Sequence, residues 1–188
     1  LFPYTTLFPS YLFVIGERQG YARDVGVLVG MLQNARRFLL AAVRDLDTAR
    51  LDARPGAARN TIGSILAHID AAENLFQRLT FEGRMFDDAE KQRYRPAFEF
   101  QGSDGPAGRT LGSYLDALAD TRRRTLAGMR DREDSWLREP KTCAKRPANV
   151  HYYWRHLLQD EARHTGQIIL ARKHLIVGAD PAFEPYVF

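Results

Sequence analysis

His156-Leu-Leu-Gln-Asp160-Glu161-Ala-Arg-His164-Thr-Gly-Gln167 sets ionisable residues among apolar ones at helical spacing. His156, Asp160 and His164 recur every four residues. At about 100° per residue each step of four drifts only about 40° around a helix, so the three form one row. Asp160 and His164 therefore project side by side, a spacing that lets two side chains of one helix share a metal. Glu161 lies nearer the centre of the apolar stripe marked by Leu157, Ile168 and Leu175. A carboxylate there is costly unless it is paired or coordinates something. Glu161 and His164 also make an E-x-x-H pair, a pattern used by metal sites between packed helices. The same row also reads as a buried Asp/Glu–His–Arg network that fixes helix packing, with Arg163 or Arg155 neutralising the carboxylate. Spacing alone leaves both readings open.

Three more helices are expected upstream. Val25, Leu28, Val29, Leu32, Leu39, Ala42 and Val43 give one from Asp24 to about Leu46. Pro55 and Gly56 then break the chain. Asn60 suits an N-cap for a second helix, Thr61 to about Thr80, striped by Ile62, Ile65, Leu66, Ile69, Leu75 and Phe76. His68 shares that face, either as a hydrogen-bonded core histidine or as a ligand. A third helix spans about Thr110 to Asp131, and the fourth runs from a cap at Asn149 to about Leu175. Residues 81–109 are rich in Gly and Pro and read as a long crossover. Pro140 and Pro147 bracket a further loop, and Gly178, Pro181 and Pro185 keep the tail irregular. Strand alternation shows only weakly, in the first residues and around Phe98 to Phe100. The expected fold is all-α, a four-helix bundle with one long crossover between helices two and three.

Composition narrows the function. The chain has 188 residues, 45% hydrophobic and 27% charged, which suits an ordinary globular protein with a sizeable core. Lys and Arg number 27 against 23 Asp and Glu, interspersed, so no polybasic stripe argues for nucleic acid. Arg122-Arg-Arg124 reads as a solvated helix face. No uncharged run reaches the roughly 18 residues of a membrane span. The lone Cys143 excludes an internal disulfide framework, and its flanking Lys141, Lys145 and Arg146 make at most a bystander thiol more acidic. His151 reads as a capping or surface residue, and His174 as a cation favoured by a helix C-terminus. The opening LFPYTTLFPS resembles translated sequencing-adapter read-through, so residues 1–20 are expected to be a non-native or disordered segment and 21–188 a single domain. With no signal peptide in view, the expected location is the cytoplasm of a bacterium.

His156-Leu-Leu-Gln-Asp160-Glu-Ala-Arg-His164-Thr-Gly166-Gln167-Ile168 resembles the closing motif of the DinB-like superfamily, which includes bacillithiol transferases and mycothiol-dependent maleylpyruvate isomerases. Thr61-Ile-Gly63-Ser-Ile-Leu-Ala-His68-Ile-Asp-Ala-Ala-Glu73 is similar to that family's other motif. The resemblance spans roughly Asp24 to Leu175 and implies an up-down-down-up bundle. It further implies a divalent metal held by three histidines. Carried over, the positions are His68, Asp160 and His164, with aspartate replacing the middle histidine. Two His and one carboxylate form a recognised facial ligand set. Glu161 stands as the candidate base or alternate ligand, His156 as a supporting or replacement ligand, and Gln167 as a group that orients a ligand. The implied metal is a divalent transition ion (Zn, Ni, Fe or Mn), with a low-molecular-weight thiol as co-substrate. The implied activity is thiol S-transfer to a small electrophile, or hydrolysis, by a homodimer that binds neither nucleic acid nor membrane. The rival is a non-catalytic bundle whose polar network is structural and which acts by dimerising or binding a partner. An iron-dependent oxygenase on the two-His-one-carboxylate set is a third reading.

Overall fold

The computed structural model describes residues 14–54, 60–99 and 106–175, without the side chains of the last two. The opening residues to 13, the Pro55-Gly56 break, Phe100 and the tail with its Gly and Pro residues lie outside them, as does the side chain of His174. The described chain is mostly helical. Its long helices are α1 (Arg23–Val43), α3 (Ile62–Phe81), α5 (Leu111–Arg130) and α6 (Val150–Leu175), with short α2 (Thr48–Asp52) and α4 (Asp88–Phe98) between them. α6 packs on α1 and α3, and α3 packs on α5.

Each long helix begins where a side chain satisfies its first amides. Thr61 and Thr110 accept from the backbone of Ser64 and Ser113. The cap of α3 is thus Thr61, not Asn60, because its hydroxyl reaches the third amide while Asn60 precedes it by one. Asn149 does cap α6, accepting from the Tyr152 amide at 2.8 Å. The amides of Asp24 and Val25 at the start of α1 find Asp134, from the far side of the chain, at 2.8 and 3.1 Å.

Two expectations fail in the connections. The crossover is not irregular throughout: Asp87 and Glu90 form a capping box that starts α4, and Pro96 sits near that helix's end. The segment bracketed by Pro140 and Pro147 is a hairpin, with β1 (Pro140–Cys143) antiparallel to β2 (Arg146–Asn149). Its two turn residues, Ala144 and Lys145, have φ of 47° and 65°, as a two-residue hairpin turn requires. Tyr153 of α6 holds it by donating to the Thr142 carbonyl at 2.7 Å.

The interior has two apolar clusters with charge between them. One holds Leu39, Leu66, Ile69, Leu118 and Ile168. The other holds Leu28, Leu32, Phe76, Met129, Trp154 and Leu157. Arg36 of α1, Glu73 of α3, Arg122 of α5 and Glu161 of α6 each fall in sequence between the two. Along α1 and α6 the order runs from the second cluster to the first, and along α3 and α5 from the first to the second.

All four charged side chains are buried. Arg36 donates to Glu161 at 2.5 Å and Glu73 at 2.8 Å. Arg122 donates to Glu73 at 2.6 Å and Glu161 at 2.9 Å. Arg122 is therefore no part of a solvated face. Burial alone would raise the Glu73 carboxyl, but the Arg122 and Arg36 charges, with hydrogen bonds from Arg122 and Thr125, hold it at about 2.

Candidate metal centre

α3 and α6 pack directly, which brings His68 opposite Asp160 and His164. One ligand atom from each of the three lies within 4.8 Å of the others. His68 Nε2 is 3.2 Å from Asp160 Oδ2, and His164 Nε2 is 3.4 Å from Asp160 Oδ1. The three side chains are 12 to 20% exposed, sheltered but reachable from solvent.

The remaining ring nitrogens set the chemistry. His68 Nδ1 lies 3.0 Å from the Ala97 carbonyl, and His164 Nδ1 lies 2.8 Å from Gln167 Oε1. A carbonyl oxygen only accepts, so each Nδ1 carries the proton. Both Nε2 atoms then face the Asp160 carboxylate, His68 Nε2 within hydrogen-bonding range of Oδ2. Two imidazole nitrogens and a carboxylate converging at this range suit a shared cation, whether a proton or a metal ion. The donor set therefore fits a divalent metal, with each imidazole oriented by an acceptor behind it. Burial first, partly offset by Gln167 and Asp160, lowers the pKa of His164. Burial would raise the Asp160 carboxyl, but the His68 hydrogen bond and the neighbouring imidazoles lower it.

The family model for mycothiol S-transferase matches residues 27–176. The chain belongs to this family. No curated protein matches it at a significant level. All three residues of the centre lie inside the span matched to the mycothiol S-transferase model.

In this mycothiol S-transferase family member, Glu161 sits apart from the triad. Both its carboxylate oxygens accept from Arg36 and Arg122, and it is 1% exposed. The guanidiniums that neutralise it are thus neither Arg155 nor Arg163, since those project from its own helix and these come from α1 and α5. His156 stacks on Tyr152 at 5.8 Å and lies 5.9 Å from the Phe76 ring. On the other flank the Phe98 ring meets His68 edge-on at 5.4 Å, and Phe86 stacks on Tyr94 at 4.8 Å. Spacing does not point to Ala97 and Phe98, because both arrive on α4, where the sequence reads as a crossover with weak strand alternation from Phe98; Phe98 instead ends that helix.

Proposed function

We propose that this protein is a divalent-metal-dependent thiol S-transferase that joins a low-molecular-weight thiol, mycothiol by family, to a small electrophile. Its ligands are His68, Asp160 and His164, in an up-down-down-up four-helix bundle. The opposed order of the two apolar clusters along α1 and α6 against α3 and α5 supports that topology. The observation that carries the function is the convergence of two Nε2 atoms on Asp160 with both Nδ1 atoms committed to carbonyl oxygens.

A bound metal would lower the pKa of a coordinated thiol or water, which supplies a nucleophile at neutral pH. The chain's own residues prepare for that. Ala97 and Gln167 hold the imidazole tautomers, and Asp160 contributes the negative charge of the set. Phe98 and Phe86 shield the His68 side, while His156 and Tyr152 border the other end of the row. In the transfer to an alkyl halide the thiol S–H bond is lost with its proton passing to water, a C–S bond forms, and the carbon–halogen bond breaks to release halide. Glu161 takes no proton here, because both its oxygens already accept from guanidiniums.

The packing-network reading is served by a different set. Arg36, Glu73, Arg122 and Glu161 tie the four helices together without Asp160 or either histidine. That leaves the triad available for chemistry. The test is elemental analysis of protein purified without a His-tag, followed by mycothiol consumption with a fluorogenic alkyl halide. About one equivalent of metal, with turnover lost on chelation, is expected. Metal-free protein after incubation with zinc, nickel, manganese and ferrous ions would return the triad to a packing role.

A further inference from the structure

We infer that the Phe98 ring is the surface on which the electrophile's body lies, and that the substrate class is accordingly electrophiles carrying a flat aromatic group. The inference rests on the transferase reading and names the substrate for that same site. Among the described residues the large aromatic side chains left exposed are Phe98 and Tyr152, at 38 and 40%. Both border the metal centre. Phe98 meets the His68 ring, and Tyr152 stacks on His156, which lies one turn before Asp160. An exposed ring beside a reactive centre is apolar surface that a flat guest can take out of water.

The two ends of the row differ in chemistry. His156 has ring nitrogens and Tyr152 a hydroxyl, so that end offers hydrogen bonds to a polar molecule such as the thiol. Phe76, beside His156, is already covered. The Phe98 end offers carbon. Phe98 is backed by Phe86, with centroids 6.4 Å apart, and Phe86 is itself buried and stacks on Tyr94. The attacked carbon must come within about 3–3.5 Å of the thiol sulfur. The rest of a small electrophile then reaches only the side chains next to the ligands, and Phe98 is the apolar one among them that is still open.

The ring is held in place before any substrate arrives. Ala97 and Phe98 are consecutive, and both meet His68: its Nδ1 donates to the Ala97 carbonyl at 3.0 Å, and its edge meets the Phe98 ring at 5.4 Å. The other end of α4 is tied down by Glu90, which accepts from Arg78 and Arg84, each at 2.6 Å. A surface already ordered loses little freedom on binding. Ring-to-ring contact adds to what apolar area alone contributes, so an aromatic body should be preferred over a small polar one. With benzyl chloride as the electrophile, the C–S bond forms as the C–Cl bond breaks, chloride leaves and the thiol proton passes to water.

Two measurements on the full chain test it. Fluorobenzene, which cannot react, is titrated in and followed by fluorine NMR; saturable binding is expected, about tenfold weaker in Phe98→Ala and retained in Phe98→Trp. In the second, kcat/KM for benzyl chloride is divided by that for chloroacetamide, with mycothiol as the thiol. Phe98→Ala should lower this ratio about tenfold, through a higher KM for benzyl chloride. Phe98→Leu, which keeps an apolar side chain to close the helix end, should lower it too. A His68 merely loosened by the substitution would slow both electrophiles alike and leave the ratio in place. An unchanged ratio in both variants, or fluorobenzene that fails to bind wild type or binds Phe98→Ala equally well, overturns this inference and leaves the transferase reading standing. No turnover of either electrophile by metal-loaded wild type overturns the transferase reading, and the electrophile assignment with it.

Discussion

Asp160 and Glu161 are consecutive residues of α6 that face different partners: Asp160 meets His68 and His164, and Glu161 accepts from Arg36 and Arg122. One turn of one helix thus carries a site carboxylate and a packing carboxylate side by side. Substitution should separate them. Asp160→Asn keeps the shape and removes the charge, so metal content should fall sharply. Unfolding free energy should move by no more than about 1 kcal/mol, since the side chain is partly exposed. Elemental analysis and denaturant melts on the same samples check this; full metal content in the variant would refute the ligand assignment.

The packing carboxylates should show the opposite profile. Replacing Arg122 by Met leaves the buried Glu73 and Glu161 to share Arg36 alone. Breaking a buried pair from one side costs about 3–5 kcal/mol. Replacing all four members by apolar residues of similar volume should recover much of that loss. Urea unfolding of the single and quadruple variants would measure both, and a single variant as stable as wild type would contradict the buried network.

Acid should expose the same network. The Glu73 carboxyl sits at about 2 in the fold against an ordinary value of 4.5. A depressed carboxylate contributes stability that is fully present above 4.5 and lost as pH falls toward 2, here roughly 3 kcal/mol at most. Unfolding free energy should therefore drop steeply between those limits. Glu73→Gln should start lower and fall less over the same window. Equal slopes for the two proteins would mean that Glu73 is not held ionised.

Gln167 should matter for metal affinity without touching the ion. Its Oε1 accepts from His164 Nδ1 and so keeps Nε2 as the lone-pair side. Loss of such a supporting acceptor typically costs 10–100-fold in metal affinity. Gln167→Ala should fall in that range and Gln167→Glu should restore binding. Competition with a chromophoric chelator reads both; an unchanged affinity in Gln167→Ala would show that the hydrogen bond does not orient the ring.

The hairpin carries a cost that can be removed. Lys145 holds φ of 65°, a region that glycine enters without a Cβ penalty. Lys145→Gly should raise stability by about 0.5–1 kcal/mol, visible as a higher Tm. A lower Tm would show that the lysine side chain contributes more than its backbone costs.

The long helices were readable because their apolar residues repeat at three and four, and their ends moved by only a few residues. β1 and β2 were not, because four-residue strands with a proline in each are too short to alternate visibly. The capping box of Asp87 and Glu90 was a legible signal for α4 that the glycines and Pro96 around it outweighed. The triad followed from spacing on α6 and from the resemblance that joined it to His68. The partners of Glu161 did not follow, since Arg36 and Arg122 come from α1 and α5 and pair only after the helices pack. A trace was present, though. Arg36 stands between Leu32 and Leu39, and Glu73 between Ile69 and Phe76, each a charge on an apolar stripe.

The bond from His68 to Ala97 has a consequence for assembly. Ala97 is the next-to-last residue of α4, so its carbonyl has no acceptor role left within its own helix. The imidazole closes that helix end, and the helix end in turn aims the imidazole. A chain in which α3 and α6 have met but α4 has not yet docked holds the right three side chains with one ring free to rotate. On the proposed metal reading, ion capture is expected late in folding, and its rate would time the arrival of the crossover.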